Sequence, residues 1–230
     1  MTKGLDQYAS SVYSQNGEDG ILRHIFEEIG YESRQFLEFG YSKPECNAWN
    51  LMMNEDFGGV FIDAKAEEKE VIVGVQSIKA HLTTDNINGI VARASMAGID
   101  LLSIDVDGND YWLWEALACV SPRVVVIEYN ASLGPTASKT IVYDPDFHQH
   151  GPGIAWTYFG ASITALERLG WRKGYHLIGC DPEGINAFFL HKDIVGLDTL
   201  TAEEAWRPWK YCTVEEAAKW TAGMTWVEIT

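Results

Sequence analysis

Leu101-Leu102-Ser103-Ile104-Asp105-Val106-Asp107-Gly108 decides how the rest of the chain is read. An apolar run that ends in acids and a glycine fits a strand buried on both faces, with its C-terminal end opening onto a polar rim. Comparable runs stand on either side: Phe36 to Gly40, Val60 to Asp63 behind Gly58-Gly59, and Val124 to Tyr129. Helical spacing separates them. Ile21, Leu22, Ile25, Phe26 and Ile29 share one face of a helix over Asn16 to Ile29, with Glu18 and Asp19 at its start, where the helix dipole favours acids, and Gly30 at its end. Ala48 to Met53, Asp85 to Ala97 and Tyr111 to Val120 read as further helices, and a strand with open limits falls in Val71 to Leu82. Ala161 to Leu169, closed by Gly170, is an expected helix. Tyr175 to Cys180 and Asn186 to His191 form an expected antiparallel hairpin across Asp181-Pro182-Glu183-Gly184. The alternation predicts an α/β, Rossmann-like sandwich: a mostly parallel seven-stranded sheet with a C-terminal antiparallel hairpin and helices on both faces.

The chain has 230 residues, of which 47% are hydrophobic and 22% charged, and so can bury a sizeable core. No repeat or linker divides it, so one domain is expected over 1–230: an N-terminal helical segment over 1–34, a core over 35–195 and a helical tail over 196–230. That tail carries Trp206, Trp209, Trp220 and Trp226, which either pack within the protomer or make a subunit contact in a homo-oligomer. The 17 Lys and Arg against 33 Asp and Glu give a net charge of −16, which opposes a nucleic-acid partner held through its phosphates. No run approaches the ~20 apolar residues of a membrane helix, and residues 1–11 lack a signal-peptide pattern, so a cytoplasmic location without a membrane partner is expected. Cys46, Cys119, Cys180 and Cys212 form no C-x-x-C pair and read as free or buried thiols.

Ligands of an open α/β sheet bind beyond the C-terminal ends of its strands. The polar residues expected there are Glu38 and Gly40, Asp63, Asp105 and Asp107, and Glu128 and Asn130. Asp63 lies 23 residues after Gly40, near the offset at which an acid reaches a nucleoside ribose; the bland reading is an acid capping the next turn. Tyr41-Ser42-Lys43-Pro44 follows Gly40 and no glycine returns before Gly58, so the pyrophosphate-binding G-x-G-x-x-G is absent and NAD or FAD is disfavoured. A nucleoside cofactor without phosphates fits better, and S-adenosylmethionine is one whose sulfonium suits an acidic turn.

Ser14-Gln15 with Gly17-Glu18-Asp19, Glu38-Phe39-Gly40 with Glu45-Cys46-Asn47, Ile62-Asp63, and Ile104-Asp105-Val106-Asp107-Gly108 occur in the order and spacing of the FkbM-type family. Over Tyr13 to His191 the chain thus resembles class I S-adenosylmethionine-dependent methyltransferases of that type. The resemblance implies O-methyl transfer to a small polar metabolite or a sugar-containing natural product, with Gln15, Glu38, Gly40, Asn47, Asp63 and Asp105 around the cofactor. Tyr41 to Pro44 departs from the small, glycine-containing first turn of the family.

Ser103, Asp105 and Asp107 share one face by strand alternation, as do Glu128 and Asn130 on the neighbouring strand. Converging carboxylates repel unless a proton or cation intervenes, and an all-oxygen set suits Mg²⁺ or Mn²⁺. Asp107, Glu128 and Asn130 are therefore candidate metal ligands, as in metal-dependent O-methyltransferases, which the arrangement resembles. The alternative is a turn and cap cluster over Asp107 to Asp110, with Asp105 alone at the substrate. His148 and His150, in the long loop Ala131 to Thr157, are candidate bases alongside Asp105, and a surface pair is the bland reading. Tyr111 is the aromatic expected to reach a ligand, and one of Trp112 and Trp114 a pocket or interface. A metal-dependent hydrolase, or a non-catalytic binding module on the same fold, are the competing readings.

Overall fold

The expected alternation of helix and strand is present in a computed structural model that describes residues 4–40, 45–67, 69–149 and 154–230. After α1 (Glu18–Ile29), β1 (Gln35–Phe39) leads through α2 (Trp49–Asn54) to β2 (Gly58–Asp63). β3 (Lys69–Ile72) and β4 (Val75–Lys79) precede α3 (Ile87–Arg93), β5 (Leu101–Ile104), α4 (Asp110–Ala116) and β6 (Val124–Glu128). Next come β7 (Lys139–Ile141), α5 (Ile163–Lys173), β8 (Tyr175–Cys180) and β9 (Asn186–His191). The tail holds α6 (Ala202–Ala205), α7 (Val214–Trp220) and β10 (Trp226–Glu228).

The main sheet runs β3-β4-β2-β1-β5-β6-β9-β8, parallel from β4 to β6, with β9 antiparallel between β6 and β8. It is a mixed, mostly parallel α/β sheet of the Rossmann-like kind. It has eight strands where seven were expected, because the segment read as one strand folds back at Val73-Gly74 into the antiparallel β3–β4 pair. Gly74 takes a φ of +83° there. The tail is likewise not wholly helical: β10 pairs with β7, which arises inside the segment expected to be loop. Both strands have only three residues, too few for alternation to show in the sequence.

Alternation sorts the core into two layers. Leu37, Phe39, Val125 and Ile127 face α3, α4 and α5, where Val91, Leu113, Trp114, Leu166 and Leu169 pack. Phe36, Val124 and Val126 face α1 and α2, where Leu22, Ile25, Phe26, Leu51 and Met52 pack. Helix α5 runs through Gly170 to end at Gly174, four residues later than expected. Gly170 sits where a Cβ would come within 2.9 Å of the Phe189 ring, so it serves close packing rather than termination. Trp114 is buried against Tyr175 and Phe189, and Trp112 donates its indole N–H to the Ile141 carbonyl. Tyr111 is also buried, its hydroxyl accepting from Arg172 at 2.7 Å, so it does not reach the ligand rim as expected. Among the described residues, no helix is long and apolar enough to cross a membrane.

Candidate functional site: an acidic cleft at the strand ends

The chain passes from β1 to β2 on one side of the β1–β5 pair and from β5 to β6 on the other, which leaves a crevice beyond the C-terminal ends of the pair. A Cβ on Gly40 would lie 1.3 Å from the Asp105 carbonyl oxygen, and Gly40 has a φ of +82°, so only glycine lets these two strand ends meet. Around that contact is a cleft of about 940 Å³ along the C-terminal rim from β4 to β9. Gln15, Glu38, Gly40, Asn47, Asp63, Asp105, Asp107, Glu128 and His148 all line it. His150 and the turn Tyr41 to Pro44 lie outside the described residues.

Several of these residues are held by the protein itself. Glu38 accepts from the Asn47 and Ala48 N–H groups at 2.8 and 2.9 Å and from the Ser103 hydroxyl, pinning the start of α2 to the end of β1. Burial pushes its carboxyl up to about 7, against those hydrogen bonds. Asn47 donates to Ser103 Oγ at 3.0 Å and completes the same knot. Gln15 donates to Glu45 at 2.6 Å across the cleft mouth. Asp63 accepts from the Lys65 N–H at 2.6 Å, so the turn-capping role is present at a residue that also faces the cleft. His148 is exposed on the rim.

The acids at β5 and β6 converge, with one change of membership. Asp105, Asp110 and Glu128 each place a carboxylate oxygen within 4.8 Å of the others. Asp110, the first residue of α4, accepts from the Val106 and Gly108 N–H groups, both at 2.9 Å, and so shapes the turn after β5 while turning its charge into the group. Asp107 adopts a left-handed φ of +58° and stays outside the three. Asn130 is also outside: its Oδ1 accepts from Ser132 and its Nδ2 donates to the Thr157 and Phe159 carbonyls at 2.9 Å, so the amide is spent on loop structure. Alternation put it on the face of Glu128, but the chain leaves the sheet after Glu128.

Burial and then repulsion by Asp110 and Asp107 raise the Asp105 carboxyl well above its ordinary range, and burial followed by repulsion by Asp105 does the same for Glu128. Burial pushes Asp110 up to about 7. Glu128 Oε2 is buried without a hydrogen-bond partner among the described residues. An unsatisfied buried carboxylate oxygen beside two further carboxylates is a donor set for a hard divalent cation, and the residues fit Mg²⁺ or Mn²⁺.

Sequence reasoning missed Asp110 as a member of the group and missed the aromatic wall opposite. Trp156, Phe159, Trp209 and Tyr211 line the same cleft, the last two supplied by the tail. The turn-and-cap reading of Asp107 to Asp110 carried a signal for the first; no local pattern ties residue 209 to residue 156.

Strand order and rim together define a Rossmann-like α/β fold with an acid-lined cleft at its strand ends. No protein-family model matches the chain, and no curated protein matches its sequence. Solved structures with a similar fold include the MycE methyltransferase of the mycinamycin biosynthetic pathway in complex with Mg, SAH and mycinamycin VI. That similarity has 20% identity over 77% of this chain and 50% of that one, with a TM-score of 0.45. A second MycE structure, with Mg and SAH, has 16% identity over 87% and 53% of the two chains and a TM-score of 0.44. A "putative hemolysin" from Streptococcus thermophilus has 14% identity over 93% and 77%, with a TM-score of 0.48. The chain thus spans about half the length of these MycE structures.

Proposed function

We propose that the protein is an S-adenosylmethionine-dependent O-methyltransferase of FkbM-like type, acting on a hydroxyl of a small polar or sugar-containing metabolite with a divalent cation. The observation that carries this reading is the group of half-buried Asp105 and Glu128 with buried Asp110, including the unpartnered Glu128 oxygen, in the same cleft as Asp63 at the end of β2. S-adenosylmethionine would supply an electrophilic methyl group on a sulfonium, and Mg²⁺ or Mn²⁺ would acidify the acceptor hydroxyl.

The chain's own residues divide the remaining work. Asp63 accepts hydrogen bonds from ribose hydroxyls at the β2 end. Gly40 lets the ends of β1 and β5 meet at the floor of the cleft, and Glu38 with Asn47 fixes the start of α2 beside it. Asp105 and Glu128 hold negative charge at the rim centre, where a cation stabilises their ionised forms. His148, on the exposed side, receives the acceptor's proton and passes it to water. Much of the rate in such a displacement comes from aligning acceptor oxygen, methyl carbon and sulfur, which a rigid β1–β5 junction favours. The excess of acids opposes phosphodiester substrates.

Calorimetric titration with S-adenosylhomocysteine, with and without Mg²⁺ or Mn²⁺, tests the reading. Saturable binding is expected, weakened at least tenfold in Asp63→Ala, and metal binding is expected to be lost in Glu128→Gln. Absence of S-adenosylhomocysteine binding under every metal condition would overturn it, and metal-dependent hydrolysis in that protein would favour the hydrolase reading.

A further inference from the structure

Buried polar atoms without a hydrogen-bond partner are few in folded proteins, and a group of them in one place points to a missing ligand. Among the described residues such atoms are Asp19 Oδ1, Ser77 Oγ, Asn109 Oδ1, Glu128 Oε2, Asn186 Oδ1 and Trp209 Nε1. All but Asp19 belong to residues that line the cleft. The strand order divides them. Ser77 is on β4, beside β2 and Asp63, on the nucleoside side of the β1–β5 junction. Glu128 and Asn186 are register partners on β6 and β9, on the other side.

Trp209 is the member of this set that can only donate. It is 8% exposed and packs at 6.0 Å from Phe159, 5.2 Å from Trp156 and 5.1 Å from Tyr211, measured between ring centroids. Trp156 and Tyr211 are themselves 4.9 Å apart, and the three rings meet at 52°, 54° and 75°. Rings set at such angles make a corner rather than a flat shelf. A corner suits a puckered ring with C–H groups on both faces, and an indole N–H left over in it asks for an oxygen.

We propose that Trp156, Trp209 and Tyr211 form a subsite for a hydroxylated saturated ring, with the Trp209 indole N–H donating to one of the ring's oxygens. Asn186 Oδ1 offers an acceptor for a ring hydroxyl on the same side of the cleft. Placing a methyl acceptor in this subsite rests on the methyltransferase reading; the ring-binding chemistry does not. The 196–230 segment is then part of the binding site, and Trp209 and Tyr211 are specificity determinants.

The test is a fluorescence titration of the full chain with methyl β-D-glucopyranoside and, separately, phenol, beside a calorimetric titration with S-adenosylhomocysteine. Saturable glucoside binding is expected, at least fivefold weaker in Trp209→Phe, which keeps an aromatic ring and loses the N–H. Tyr211→Ala, at a half-exposed position where folding is safe, is expected to weaken it severalfold with an unchanged Tm. Glucoside binding unaffected by Trp209→Phe would remove the N–H from the proposal, and binding of phenol alone would overturn the ring class. S-adenosylhomocysteine binding without glucoside binding would sink the subsite and leave the cofactor reading intact. Glucoside binding that responds to both variants, without S-adenosylhomocysteine binding, would keep the subsite and sink the methyltransferase reading.

Discussion

Single residues at the sheet's two ends hold opposite kinds of tension. At the ligand end, Gly40 permits a backbone contact that any side chain would break, so Gly40→Ala is expected to cost on the order of 2–4 kcal/mol in urea unfolding. Gly30 also has a positive φ, +68°, with a ψ of 168°, a region essentially confined to glycine; no atom lies within 4 Å of its would-be Cβ, so Gly30→Ala should cost about 1–3 kcal/mol through backbone strain alone. At the opposite end the fully buried Asp100 accepts from the Glu32, Ser33 and Arg34 N–H groups and pairs with Arg123 at 2.9 Å. Burial opposes its charge, yet the Arg123 guanidinium and those N–H groups hold the carboxyl below its usual range. Its stabilising contribution is therefore present above the ordinary carboxylate range and fades as pH falls through the lowered value. Arg123→Met, which leaves that charge buried without its guanidinium, is expected to destabilise by about 3–5 kcal/mol in the same assay. Asp105 and Glu128 were legible as rim acids from strand alternation, whereas Asp110 was not, because a residue that opens a helix is ordinarily read as a cap.

At the scale of elements, the start of α2 depends on one carboxylate. Glu38→Ala removes the acceptor for two buried N–H groups, at a cost of about 1–3 kcal/mol. Hydrogen exchange at the Asn47 and Ala48 amides is expected to quicken, and S-adenosylhomocysteine affinity to fall although the carboxylate is turned to the loop; unchanged exchange would refute the pinning role. Strands with four or five buried residues announced themselves by apolar runs, and β8 and β9 have the limits the sequence suggested. What stayed hidden were elements defined by their partners. β10 is a strand because it finds β7, across 85 residues from Ile141 to Trp226, and β7 is bridged on its other edge to Ala161. The aromatic wall is of the same kind, since nothing near Trp209 in the sequence specifies Trp156.

For the molecule as a whole, buried acids set the pH response. Glu38, Asp110 and Asp181 titrate near 7 in the folded protein, each raised chiefly by burial, against about 4 when unfolded. A carboxyl raised on folding binds its proton more tightly in the native state, so its favourable effect is complete below about 4 and is lost as pH rises towards about 7. Without metal, Tm is expected to fall between pH 5 and pH 8. Added Mg²⁺ should raise Tm at pH 8 more than at pH 5, since cation and protons compete for Asp105, Asp110 and Glu128, and Glu128→Gln should abolish that difference. A flat or rising Tm profile without metal would contradict this account of the cleft. The tail is tied back across the molecule as well: Arg207 pairs with Asp6 at 3.0 Å, and its backbone bonds the Tyr129 hydroxyl. Because the cleft's walls come from positions as far apart as Gln15 and Tyr211, a chain emerging from the ribosome can build its sheet strand by strand while still lacking one side of its site. The aromatic wall of the cleft thus waits for Trp209 and Tyr211, which follow every strand of the main sheet in the chain.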